Sequence, residues 1–118
     1  MPSKSDAALL HIRDNIVFAR QWSAGMSLAD FSEDRIIFYA VTRCLEIISE
    51  AARRLSPEIL KRHPEMPWRT IMDAGDYYRH AYDGVEERIV FTTVKESLPA
   101  LAAVIEEEIA RAERLNSR

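Results

Sequence analysis

The sequence predicts an all-α protein, a single-domain bundle of about five helices over residues 1–118. Apolar residues recur at spacings of three and four, and alternation with period two is never sustained. The chain of 118 residues is 47% hydrophobic and 30% charged with only 3 glycines, a balance that fits a globular helical protein and neither disorder nor a membrane span. That length is about one domain, enough to bury a single core.

The first helix is carried by Leu9, Ile12, Ile16 and Ala19 on one face, with Arg13, Asp14 and Arg20 largely elsewhere. Gly25 ends it, and Ser27 to Ser32 reads as a short polar connection rich in cap-type residues. The strongest helix follows. Ile37, Val41, Cys44, Ile48, Ala51 and Leu55 step by four and three, with Asp30, Ser32 or Asp34 as its cap. So long an amphipathic stripe needs partners along its whole length, from the same chain or a second copy.

Ser56-Pro57 ends or restarts that helix, because proline disfavours helix in the residue before it. A proline-punctuated connection then runs to Pro67, with one helical turn expected at Ile59 to Arg62. Pro67 suits the first turn of a new helix, where its missing amide has no partner to lose. This helix is expected to reach about Tyr82, with Gly84 as a stop. Glu86 to Ser97 and Leu98 to Leu115 read as two further helices, separated or kinked at Pro99.

Several classes drop out. No stretch approaches the roughly 20 apolar residues of a transmembrane helix, and no apolar run behind the N-terminus suggests a secretory signal. A cytoplasmic protein without membrane contact is expected. Cys44, the only cysteine, excludes an intrachain disulfide and a cysteine zinc cage, and its apolar stripe predicts a buried, inert thiol. A di-iron bundle is dismissed because no Glu-x-x-His pair occurs. No metal and no cofactor are expected. The net charge of −3 argues against a general sheath for nucleic acid but leaves room for a local basic site.

Three histidines remain as chemical candidates. His11 lies among charges on the first helix and reads as a surface residue. His63 stands beside the one dense basic cluster, Arg53, Arg54, Lys61 and Arg62. This cluster reads either as a solvated helix end or as a phosphate-facing, RNA-binding patch. His80 differs: Arg69, Asp73, Asp76 and His80 step by four, three and four along the Pro67 helix and share one face. Opposite them, Trp68, Ile71 and Met72 give that helix a core side. Asp76, one turn before His80, is positioned to hold the imidazole and favour its protonated form, as a general acid or base requires. On spacing alone, a solvent-facing salt-bridged stripe is the reading to prefer.

Pro67-Trp68-Arg69-Thr70-Ile71-Met72, followed by Arg79-His80-Ala81-Tyr82-Asp83-Gly84-Val85, resembles the signature of the HepT-like (HEPN) toxins, in which Arg, four residues, His, one residue and Tyr follow a Pro-Trp-Arg helix start. Phe31, Ala40-Val41, Leu45 to Ala51 and Leu98-Pro99-Ala100-Leu101 extend the likeness over nearly the whole chain. The resemblance implies a five-helix homodimer with the two motifs facing its interface. It implies a metal-independent ribonuclease toxin acting on RNA, a tRNA end being one candidate, and neutralised by a minimal nucleotidyltransferase antitoxin. His80 then transfers a proton, and Tyr82 becomes the residue that the antitoxin modifies by nucleotidylation.

The chain departs from that pattern at position 75, where Gly75 replaces the family arginine, and at Asp76, where asparagine is common. Arg79 lies one turn after Gly75 on the same face. Helical side chains lean toward the N-terminus, so Arg79 is long enough to reach over the space Gly75 leaves and steady a phosphate. The alternative is that Gly75 permits close helix packing while Arg79 makes an ordinary salt bridge. Two function classes therefore stay open beside an unrelated dimerisation domain: a ribonuclease toxin, and a catalytically silent helical module that partners a nucleotidyltransferase.

Overall fold

A computed structural model describes residues 3–80 and 85–117. Its elements are α1 (Lys4–Trp22), α2 (Leu28–Glu33), α3 (Arg35–Ala52), α4 (Pro57–Arg62), α5 (Trp68–Arg79), α6 (Glu87–Thr92), a π-helical turn (Thr93–Ser97) and α7 (Leu98–Asn116). No strand occurs among the described residues. The fold is all-α, as the periodicity predicts. No helix of the described residues is long and apolar enough to cross a membrane.

Helix α3 is the axis. Phe38, Val41, Cys44, Leu45, Ile48, Ala51 and Ala52 are all buried, and α1 and α5 both pack on it. Helix α1 turns Leu9, Ile12, Ile16 and Ala19 inward, and it also packs on α7 and the π-helical turn. Asp34 caps α3 by accepting from the Ile37 amide at 3.0 Å, which settles the choice among the three candidate caps.

Two connections are more ordered than expected. The polar stretch Ser27 to Ser32 belongs largely to α2. Ser27 and Asp30 form a reciprocal capping box, and Phe31 anchors the short helix. Phe31 is fully buried, 5.9 Å from the Phe38 ring and 5.5 Å from Phe91. Ser-x-x-Asp ahead of an aromatic residue was the available signal. Ser56-Pro57 does restart a helix: Pro57 opens α4, with Ser56 as its cap.

The last two helices join without a loop. Pro99 has no amide and its ring crowds the carbonyl of residue 95, so an ordinary α-turn cannot pass through it. The chain instead widens into a π-turn over Thr93–Ser97, where the Leu98 amide reaches back to the Thr93 carbonyl. The proline therefore perturbs the rod one turn before itself without breaking it.

Candidate functional site

Helix α5 carries the residues singled out by the sequence. Its N-terminus is held by Trp68, a buried core residue whose Nε1 donates to the His63 carbonyl at 3.0 Å. Gly75 and Tyr78 face the core, whereas Arg69, Asp73, Asp76 and His80 are exposed along one side. Gly75 is buried against α3: a Cβ there would lie 3.2 Å from Ser49 Cβ and 3.6 Å from Glu50 Oε1. The two helices approach closely at this level because a side chain is missing.

That approach brings α3 carboxylates to Arg79. Arg79 Nε donates to Glu46 at 3.4 Å, Nη2 bonds to Glu50, and Nη1 donates to Asp76 at 3.0 Å. The guanidinium lies beside Glu50, whose oxygen also borders the space next to Gly75. These carboxylates, Glu50 foremost and then Glu46, push the Arg79 pKa further up, so its charge is permanent. Glu46 also accepts from Arg43 at 2.8 Å. Asp76 thus receives its hydrogen bond from Arg79, one turn along its own helix. His80 caps the end of α5 and is exposed, its amide donating to the Tyr77 carbonyl at 3.3 Å. Tyr82, the expected modification site, lies outside the described residues.

Glu46 and Glu50 did not figure among the sequence candidates. They stand one turn apart on α3, and an (i, i+4) carboxylate pair beside a motif-bearing helix was the signal available.

The basic cluster does not act as one patch. Arg53 donates to the Met72 carbonyl at 2.9 Å and lies 3.6 Å from Asp73, tying α3 to α5. Arg62 grips Glu108 of α7 with two prongs, Nη2 at 2.6 Å and Nε at 3.0 Å. Arg54 and Lys61 are exposed and have no ion-pair partner among the described residues.

His63 departs from both expectations, solvated helix end and phosphate-facing group. It is buried, with Nε2 2.7 Å from Glu108 Oε2. A buried Glu108 demands compensation, and Arg62 and His63 supply it together. The Arg62 hydrogen bond holds the Glu108 carboxyl below the usual carboxylate range, opposed by burial and aided by His63. Glu108 lies on the apolar stripe of Val104, Ile105 and Ile109, and a lone charge there was the sign of a buried partner.

Cys44 is buried among apolar side chains, and burial pushes its thiol up to about 11, so it is an inert core residue. His11 is exposed on α1. The other flank of α5 borders an apolar groove of about 460 Å³ between α3 and α7, lined by Ile48, Ile71, Ala74, Tyr78, Leu98 and Leu101.

Comparison with known proteins gives one consistent answer. A family model described as "Ribonuclease HepT-like" matches residues 12–108. The chain is 36% identical over 95 residues to "Probable ribonuclease HepT" of Thermococcus cleftensis, covering 80% of this chain and 86% of that one. It is 34% identical over 99 residues to "Putative RNase TTE0752" of Caldanaerobacter subterraneus subsp. tengcongensis, covering 84% and 88%. No solved structure gives a significant match. The match over residues 12–108 and the relatives at 36% and 34% identity over most of both chains give the family of this all-α chain: it belongs to the HepT-like ribonucleases.

Proposed function

We propose that this chain is a ribonuclease toxin, cytoplasmic and homodimeric, that cuts RNA at a cleft built around His80. The observation that carries the reading is the matched family together with the exposed His80 at the end of α5, one residue after Arg79. His80 moves the proton. As a general base it takes the proton of the ribose 2′-hydroxyl, whose oxygen attacks the adjacent phosphorus; as a general acid it returns a proton to the leaving 5′-oxygen. The step asks for proton transfer and charge stabilisation. Arg79 is the group to steady the phosphate, in the place of the arginine missing at Gly75. Asp76 fixes Arg79 from within the same helix.

Other parts of the reading concern partners. The homodimer brings the two motifs together on the His80-bearing flank of α5, opposite the apolar groove. Arg54 and Lys61 are the exposed cations suited to the RNA backbone, flanked by Arg53 and Arg62. A minimal nucleotidyltransferase antitoxin is the proposed partner. By joining a nucleotidyl group to the Tyr82 oxygen, with pyrophosphate leaving, it adds bulk and negative charge two residues from His80.

One observation favours a second reading, a catalytically silent module that keeps the partner contact: the guanidinium of Arg79 is surrounded by carboxylates. Expression in cells separates the two. The nuclease reading expects growth arrest and RNA fragmentation by the wild type, relief by a co-expressed nucleotidyltransferase partner, and no arrest with His80→Ala. Equal growth and intact RNA with either chain would establish the silent module instead.

A further inference from the structure

The carboxylates around Arg79 have a chemical meaning of their own. Glu46, Glu50 and Asp76 face two guanidinium groups, Arg79 and Arg43, so the cluster is net negative before any phosphate arrives. A guanidinium takes a phosphate in a two-pronged grip through neighbouring nitrogens, either Nε with Nη2 or Nη1 with Nη2. Both grips share Nη2, the nitrogen that Glu50 holds. Asp76 is a different kind of partner: it sits on the same helix, its side chain is 75% exposed, and it bonds Nη1, which only one of the two grips uses. Glu50 comes from α3 and is only 38% exposed, and Gly75 leaves it the space beside α5.

We infer that Glu50 sets the phosphate affinity of Arg79, acting as a built-in competitor for the guanidinium edge that a phosphodiester must take. The inference rests on the reading that Arg79 is the phosphate-steadying group, and it assigns a role to Glu50 on α3, outside the motif. Glu50 does not touch the reacting atoms; it acts through Arg79. Gly75 borders the same place: a Cβ there would meet the Glu50 oxygen at an ordinary 3.6 Å, so a longer side chain is needed to contest it.

The test is Glu50→Gln, which keeps the shape and removes the charge. Binding of a fluorescent single-stranded RNA is measured by anisotropy in a His80→Ala background, so that the probe survives. Glu50→Gln is expected to tighten binding by about threefold, the range of an exposed ion pair. Glu96→Gln, an equal charge change on exposed surface, is expected to leave binding unchanged. Adding Arg79→Ala is expected to abolish the gain. Where the His80→Ala protein binds the RNA, no gain, weaker binding, or a gain that survives without Arg79 would overturn the inference. A second measurement separates it from the nuclease reading: the Arg79 Nε resonance is followed by NMR during titration with inorganic phosphate. Glu50→Gln is expected to lower the phosphate concentration needed. If it does so while RNA is neither bound nor cut, the functional reading fails and the role of Glu50 stands. If phosphate acts at the same concentration in both proteins, the role of Glu50 is refuted even where RNA is cut.

Discussion

Glu108 shows most clearly how a single residue binds chemistry to fold. It is buried on α7 and carries its charge only because Arg62 and His63 meet it from the α4 end. Removing one member of such a buried set leaves the others uncompensated. Glu108→Ala is therefore expected to cost about 3 kcal/mol, seen as a melting temperature roughly 10 °C lower. The pH dependence has a definite sign. A carboxyl whose pKa is lower in the folded state contributes stability that is complete above its ordinary value of 4.5 and is lost as pH falls through the folded value. As pH falls below 4.5, the wild type should lose melting temperature more steeply than Glu108→Gln, which has no proton to take up there. Parallel slopes would show that Glu108 does not couple to folding in this way.

At the scale of elements, legibility followed the apolar pattern. The stripes of α1 and α3 were readable because every third or fourth residue is buried, as was the core side of α5 at Trp68. What was not readable depended on pairs far apart in sequence. Helix α2 is held by Phe31 against Phe38 and Phe91, His63 by a residue 45 positions away, and Arg79 by Glu46 and Glu50 on another helix. Spacing along one helix named Asp76 and His80, and Arg79 entered as the stand-in for the family arginine missing at Gly75, yet neither could reveal which group Asp76 would bond. The α3–α5 contact is the element-level joint beneath the site, and Gly75 is its narrowest point. Gly75→Leu should overpack it, at a cost of about 2 kcal/mol in denaturant unfolding, and weaken the hold of Glu50 on Arg79. A variant as stable as the wild type would mean that α5 can retreat without penalty.

For the molecule as a whole, the charge distribution matters more than its sum. A net charge of −3 is a poor opening for an RNA-acting protein, and three of the carboxylates crowd the arginine proposed for the phosphate. The same molecule presents an apolar groove beside the motif helix and exposed cations at Arg54 and Lys61. The proposed homodimer draws the two His80 side chains together by meeting on the polar flank of α5, which leaves the groove on the opposite flank. The most direct test of the central claim is cleavage of single-stranded RNA by the purified chain in a chelator, wild type beside His80→Ala. The account predicts cutting by the wild type and a loss of at least about 100-fold with His80→Ala, the usual worth of a general acid or base. Equal cutting by the two proteins, or none by the folded wild type, would contradict it.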